Sequence, residues 1–197
     1  MIGIAPRGSK ATARAMLNFA MALGARTRQE VYLSTPITTG DTYVRWRQET
    51  AHSIGRDDPR YNELHREKVI NHNIAQAAPL AERLRAEFPD RIVVNPADMA
   101  DIEDWTQADY HDFWCAVIRR FAGIVIFADG WQFSHGCVTE FATAVECGAQ
   151  LLTQNMAPLT SDVGSALVAR AMAELDGLSE DTDPLRKALA RLDRRRS

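Results

Sequence analysis

Apolar residues recur along this chain with two alternating periods. Short runs in which most residues are apolar predict strands buried on both faces. Between them, apolar residues return every three or four positions, which is the spacing of one face of a helix. The predicted strands lie at 30–34, 91–94, 123–128 and 150–153. One predicted helix lies within 1–29 and begins after Ser9. The other predicted helices lie at 42–54, 59–87, 107–121, 136–147, 161–175 and 183–194.

Helix-breaking residues fall between these segments. Pro59 suits the first turn of a helix, and Pro89 ends the same helix. Gly148 supplies a C-terminal stop before the last strand. The resulting β-α-β-α-β-α-β order, with right-handed crossovers, predicts an α/β protein. We expect a doubly wound, flavodoxin-like parallel sheet of four or five strands with helices on both faces.

The same pattern predicts a single domain over residues 1–197. Its core spans 30–153, an added helix lies within 1–29, and helices close the chain over 154–197. Residues 1–29 carry five Arg or Lys and no acid. An organelle transit peptide has such a charge pattern, but the segment has one serine and helical apolar spacing. We expect an ordinary amphipathic helix, with targeting or membrane-surface binding as the alternative.

Composition excludes several classes of protein. The 197 residues are 46% hydrophobic with a formal net charge of -3, which is unlike a dedicated nucleic-acid binder. No apolar run approaches the roughly 18 residues of a membrane-spanning helix. Cys115, Cys137 and Cys147 show no Cys-x-x-Cys or Cys/His ligand spacing, which argues against a disulfide framework and a zinc site. We therefore expect a cytoplasmic protein without a nucleic-acid or membrane partner.

The densest group of chemically active residues follows the third predicted strand. Glu140 lies about one turn into the next helix, where the helix dipole favours an ionised carboxylate that could act as a nucleophile. The alternative is an ordinary helix-capping acid. Trp131 and Phe133 either stack on a nucleobase or pack against a helix or subunit interface. Cys137 is at a helix start, which lowers a thiol pKa, but it lacks the partners of a cysteine hydrolase.

Several motifs in this order and spacing resemble the nucleoside 2-deoxyribosyltransferase-like superfamily, over roughly 31–152. They are Val31-Tyr-Leu-Ser-Thr-Pro-Ile-Thr-Thr-Gly40, Val94-Asn-Pro96, Asp112, and Gly130-Trp-x-x-Ser134-x-Gly136-x-x-x-Glu140-x-x-x-Ala144. The Gly-Trp-x-x-Ser form is similar to a branch whose members need not all be enzymes. The Ser-x-Gly-x-x-x-Glu segment is the most specific part.

The resemblance implies roles for three side chains. Glu140 would attack the anomeric carbon of a ribosyl or deoxyribosyl group, and water or another base would resolve the glycosyl-enzyme. Tyr32 would orient Glu140 through its hydroxyl. Asp112 would be the second acid, which contacts the sugar or assists proton transfer. Asp109, one helical turn earlier, is an alternative for that role.

The resemblance also bears on the substrate. Serine at 134 is typical of members that hydrolyse nucleotides, and a serine can accept a 5′-phosphate where an aspartate would repel it. Hydroxyls and amides of the 35–40 loop could form an anion nest, although this loop lacks the arginine of many phosphate-using members. Arg45 or Arg47 could reach in from the following helix. The implied substrate-binding residues are Thr35, Pro36, Thr38, Gly40, Asp109, Trp131, Ser134 and Gly136.

These residues together predict cleavage of the N-glycosidic bond of a nucleoside or (deoxy)nucleoside 5′-monophosphate. Hydrolysis is favoured over 2-deoxyribosyl transfer. No metal or organic cofactor is implied, because the leaving base needs only a proton. The resemblance implies a homo-oligomer, either a dimer or a tetramer. The alternatives are a non-catalytic nucleotide-binding or sensor module and an enzyme that degrades a signalling nucleotide.

Overall fold

A computed structural model describes residues 9–50, 53–99 and 102–196 of the chain. Its sheet has four parallel strands in the order β2-β1-β3-β4, which confirms the predicted α/β class and parallel sheet. The second strand is shorter than the predicted 91–94. The strands are β1 (Glu30–Ser34), β2 (Val93–Val94), β3 (Ala122–Phe127) and β4 (Gln150–Thr153).

The helices follow the predicted order, and two of them differ from their predicted extent or form. The predicted helix at 59–87 begins at Tyr61 and contains one π-helical segment, Arg66–Ile70, between two α-helical parts. The predicted helix at 42–54 ends at Thr50, and residues 51 and 52 lie outside the described part. The helices are α1 (Ser9–Ala22), α2 (Asp41–Thr50), α3 (Tyr61–His65), α4 (Asn71–Glu87), α5 (Gln107–Phe121), α6 (His135–Cys147), α7 (Ser161–Gly177) and α8 (Asp183–Arg196).

Alternate side chains of the strands enter two hydrophobic cores. Val31 and Leu33 of β1 pack with Leu84 of α4 on one face of the sheet. Tyr32 of β1 and Phe127 of β3 belong to the core that contains residues of α5, α6, α7 and α8. Because successive strand residues point to opposite faces, the predicted helices on both faces are confirmed.

Helix α7 packs very closely against α6. A Cβ added at Gly164 of α7 would lie 2.2 Å from Cζ of Phe141, so any side chain there would overlap the ring. The ring of Phe141 in turn contacts Trp131, with centroids 4.8 Å apart. Both aromatic residues are buried, and they fix α6 beside the carboxyl end of β3.

A buried ion-pair network joins the C-terminal part of the chain to α2. Glu180, between α7 and α8, accepts hydrogen bonds from Arg47 Nε at 2.8 Å and from the Tyr43 hydroxyl at 2.8 Å. Arg56 also pairs with Glu180 but is mostly exposed. Burial raises the pKa of Glu180, but the hydrogen bonds from Arg47, Arg56 and Tyr43 outweigh burial, so the pKa lies below its ordinary value.

Within the described residues, no helix is both long and apolar enough to cross a membrane.

Candidate functional site

The carboxylate of Glu140 is buried between the end of β1 and helix α6. The hydroxyl of Tyr32 donates to its Oε1 at 2.7 Å, and the hydroxyl of Ser34 donates to its Oε2 at 2.6 Å. Tyr32 and Ser34 are two residues apart on one strand and therefore share a face. Glu140 keeps 7% of its surface exposed. The structure thus brings together Glu140 and Tyr32, as the sequence predicted, and adds Ser34.

Burial and hydrogen bonding act on the Glu140 carboxyl in opposite directions. Burial raises its pKa above the ordinary value, and the donors Ser34 and Tyr32 partly counter that effect. Burial and the neighbouring Glu140 carboxylate raise the pKa of Tyr32 well above its ordinary value. The phenol therefore stays protonated and can only donate to the carboxylate. A partly desolvated carboxylate held at both oxygens is suited to nucleophilic attack.

Cys137 lies one helical turn before Glu140 and is fully buried. Burial raises the pKa of its thiol to about 12, with the Glu140 carboxylate acting in the same direction. The expectation that the pKa of this thiol is lowered is therefore wrong, because burial and the Glu140 carboxylate outweigh the hydrogen bonds with Ser134 and Ser34 that lower it. Ser134 caps α6 by accepting a hydrogen bond from the Cys137 amide at 3.4 Å.

The loop after β1 is held from the opposite side by α3 and α4. The side-chain amide of Asn73 donates to the carbonyls of Ile37 and Thr39 at 3.0 and 2.9 Å. His65 Nε2 lies 2.7 Å from the carbonyl of Thr38, to which it must donate. Burial lowers the pKa of His65, which agrees with a neutral ring. The π-helical segment, Arg66–Ile70, lies between His65 and Asn73 in the chain.

The two loops that follow β1 and β3 touch. Gly40 and Gly130 both have positive φ, +99° and +78°, and a Cβ at Gly130 would lie 2.4 Å from Oδ1 of Asp41. Trp131, directly after Gly130, is 4% exposed and packs on Phe127 and Phe141. Its predicted role in substrate binding is corrected, because its ring is used in the core and offers no stacking face.

The two candidate second acids differ in their surroundings. Asp109 forms a capping box with Thr106, accepting from the Thr106 amide at 2.9 Å and hydroxyl at 2.6 Å. Asp109 therefore serves the start of α5. Asp112 is exposed on the next turn of α5, beside His111, whose ring lies 3.5 Å from the Cβ position of Gly136 at the start of α6. Burial and the nearby His135 lower the pKa of His111.

A cavity of about 450 Å³ opens at the carboxyl ends of β1 and β3, on the α4 side of the sheet. Thr35 and Pro36 line it, whereas Glu140 lies on the other side and is not among its lining residues. Thr38, Gly40, Ser134 and Gly136 also lie outside its wall.

The two arginines of α2 point to different partners. Arg45 lines the cavity and pairs with Asp41 at 3.3 Å. Arg47 is bonded to Glu180, so the suggestion that it reaches a substrate is corrected.

Among the described residues, no group of three or more His, Cys, Asp or Glu side chains could hold a metal ion. Comparison with known proteins gives no match: no family model, characterised protein or solved structure is significantly similar to the chain.

Proposed function

We propose that the protein cleaves the N-glycosidic bond of a nucleoside or a nucleoside 5′-monophosphate with Glu140 as the nucleophile. The observation that carries this proposal is the buried carboxylate whose two oxygens accept hydrogen bonds from Tyr32 and Ser34. A carboxylate fixed at both oxygens loses little rotational freedom on attack, and its partial desolvation increases its reactivity.

The chemistry follows that of retaining glycosidases. One Glu140 oxygen forms a bond to C1′ while the bond from C1′ to the base nitrogen breaks, and its electron pair leaves with the base. The base takes up a proton. Water then attacks C1′ of the glycosyl ester, which releases the sugar and regenerates the Glu140 carboxylate. Tyr32 and Ser34 hold the carboxylate in both steps.

Asp112 is the candidate that handles the proton or a sugar hydroxyl. It is exposed on α5, and the ring of the adjacent His111 lies 3.5 Å from the Cβ position of Gly136 at the start of α6. Asp109 is a weaker candidate because its carboxylate already caps α5. No metal is needed for this chemistry, since a protonated base is a sufficient leaving group.

One observation favours a second candidate function. The 450 Å³ cavity is large enough for a nucleoside, but Glu140 is not among its lining residues. A ligand in the cavity need not meet the carboxylate. A nucleotide-binding or sensor module without catalysis is therefore the alternative proposal.

The two functions are separated by chromatographic detection of free base. The purified chain is incubated with ribonucleosides, deoxyribonucleosides and their 5′-monophosphates, beside the variants Glu140→Gln and Glu174→Gln. Glu174 is an exposed glutamate of α7 and controls for loss of one negative charge. We expect release by the wild type and by Glu174→Gln, and a loss on the order of a thousandfold or more in Glu140→Gln. Release that survives in Glu140→Gln would overturn the mechanism, and saturable binding without release would favour the binding module.

A further inference from the structure

Helix α1 carries large apolar side chains on both its inner and its outer side. Met16, Leu17 and Ala20 face the rest of the chain and pack against the core that contains α5 and α6. On the outer side, Phe19 is 65% exposed, and Leu23, directly after the helix, is 67% exposed. A surface helix of a globular protein normally turns polar residues to the solvent. Exposed apolar residues that lie together mark a surface that contacts a partner or a membrane.

These exposed side chains belong to one surface, which we call the α1 patch and define as Phe19, Leu23 and Ile92. All three line a groove of about 330 Å³, and Ile92 is 41% exposed. The other residues of the groove wall are apolar except for Glu30. The Glu30 carboxylate already accepts hydrogen bonds from the amides of Arg26 and Ile92, at 2.6 and 2.7 Å. The α1 patch therefore suits apolar groups.

The α1 patch lies towards the amino ends of the strands. Its groove is lined by Glu30, the first residue of β1, by Ile92, directly before β2, and by Phe121, directly before β3. The Glu140 carboxylate is instead held by Ser34, the last residue of β1. A surface that covers the α1 patch therefore need not cover the candidate functional site.

Basic residues exceed acids around the α1 patch. Residues 9–29 contain no acid and four basic residues, which are Lys10, Arg14, Arg26 and Arg28. Arg14 is exposed on α1, and the exposed Arg120 of α5 contacts the sulfur of Met21. On the β2 side, the exposed Asp90 and Arg91 offset each other. Arg14 and Arg120 therefore leave an excess of positive charge beside exposed apolar side chains.

The charge of this surface favours an anionic occupant over a second copy of the chain. A two-fold dimer through the α1 patch would place the same surface against itself. The arginines of one copy would then face those of the other, and like charges across an interface are unfavourable. An anionic lipid membrane offers the complementary combination, because negative headgroups lie directly above apolar acyl chains.

We propose that the α1 patch binds the surface of an anionic lipid membrane. Phe19 and Leu23 enter the boundary between headgroups and acyl chains, and Arg14 and Arg120 approach the lipid phosphates. Such a helix lies at the membrane surface and does not cross it. The proposal gives a specific surface to the membrane-binding alternative that the charge pattern of residues 1–29 left open. It goes beyond the proposed function, because no residue of the candidate functional site takes part.

The test is co-sedimentation of the full chain with lipid vesicles, measured without any nucleoside. Vesicles of phosphatidylcholine alone are compared with vesicles that contain about one third phosphatidylglycerol, since anionic lipid attracts basic surface segments. We expect binding to the anionic vesicles to be about tenfold tighter or more, and to be largely lost in about 0.5 M salt, which screens the charges. Equal binding to the two kinds of vesicle, or binding to neither, would overturn the proposal.

A double variant tests the apolar part of the α1 patch. Phe19→Ser with Leu23→Ser should lower binding to anionic vesicles about tenfold or more, because less apolar surface enters the lipid. Both side chains are exposed, so the circular dichroism spectrum should stay that of the wild type. Val163→Ser, which removes a 53% exposed apolar side chain from α7, is the matched control and should bind normally. Wild-type binding by the double variant would contradict the proposal.

A second double variant tests the charges. Arg14→Gln with Arg120→Gln should weaken binding to anionic vesicles and reduce its dependence on salt. Arg170→Gln with Lys187→Gln removes two exposed basic side chains from α7 and α8 and should change neither. An equal loss in both double variants would show that overall charge, and not the α1 patch, attracts the lipid.

Sedimentation velocity without lipid tests for a second copy as the occupant. We expect the Phe19→Ser, Leu23→Ser variant to keep the oligomeric state of the wild type while it loses vesicle binding. A dimer that the wild type forms and this variant loses would assign the α1 patch to another copy of the chain and overturn the proposal. Because no measurement here depends on base release, a failure of the cleavage proposal is distinguishable from a failure of this one.

Discussion

The phenol of Tyr32 and the carboxylate of Glu140 form a hydrogen bond of 2.7 Å between residues that are 108 positions apart in the chain. Ser34 completes the arrangement by donating to the second carboxylate oxygen at 2.6 Å. Because both donors belong to a central strand, the sheet fixes the orientation of the carboxylate. Helix α6 therefore supplies the carboxylate, and β1 determines where it points.

Removal of one donor should raise the pKa of Glu140 further. In Ser34→Ala, burial remains and only Tyr32 stabilises the ionised carboxylate. The acid limb of base release should move to higher pH, with a loss of about ten- to a hundredfold at neutral pH, because a hydrogen bond to a charged group contributes about 1.5–3 kcal/mol. NMR titration of the Glu140 carboxyl carbon checks the shift without relying on activity. Ser165→Ala on α7 is the control, and an unchanged Glu140 titration in Ser34→Ala would contradict the assignment.

The buried carboxylate should reduce stability at neutral pH. Since the folded-state pKa of Glu140 is raised, its contribution to stability is greatest below the ordinary pKa and is lost as pH rises through the folded-state value. Glu140→Gln is neutral at every pH and keeps a side chain of the same size. Its melting temperature should exceed that of the wild type at pH 8, and the difference should shrink towards pH 4. Glu174→Gln, measured over the same pH range, should show no such trend; a destabilised Glu140→Gln at pH 8 would argue against the raised pKa.

The sheet and its helices could be predicted because their signals are periodic and local. The π-helical segment at Arg66–Ile70 could not be predicted. A π-helical segment adds one residue to a helix, and here the apolar spacing does not visibly show it. The residues that flank this segment, His65 and Asn73, make tertiary hydrogen bonds to the carbonyls of the 35–40 loop. Such carbonyl contacts leave no mark in the sequence.

The candidate site was predictable in part. Ser34 had a usable signal, since it shares a strand face with Tyr32. The capping role of Asp109 could also be predicted from the sequence, because Thr106 precedes it by three residues, as in a capping box. The position of the Trp131 ring could not be predicted from the sequence, since an aromatic residue in a loop can point to solvent or to the core. The space between Phe127 and Phe141 decides its direction.

Loss of the Glu180 charge should destabilise the protein at neutral pH. Glu180→Gln leaves Arg47, whose side chain is only 10% exposed, without a counter-charge, and breaking a buried pair costs about 3 kcal/mol or more. Because the folded-state pKa of Glu180 is lowered, its contribution is present above the ordinary pKa and is lost as pH falls. Urea denaturation at pH 7 and pH 4 should therefore show a smaller difference from the wild type at pH 4. Arg56→Ala removes the exposed partner and should cost less than about 1 kcal/mol; an equal cost for both variants would show that the buried pair is not the important one.

The contact between α6 and α7 should tolerate no added methyl group at Gly164. Alanine is favoured over glycine in a helix by about 1 kcal/mol, but the Cβ at 164 would lie 2.2 Å from the Phe141 ring. We expect Gly164→Ala to lower the free energy of unfolding by about 1–3 kcal/mol, as overpacked cores do. Gly177→Ala, at the end of the same helix with no atom within 4 Å of its Cβ position, should be neutral or slightly stabilising. In urea denaturation, Phe141→Leu should restore part of the stability of Gly164→Ala, because the shorter side chain makes room for the methyl group. Additive losses in the double variant would mean that the strain at Gly164 does not come from Phe141.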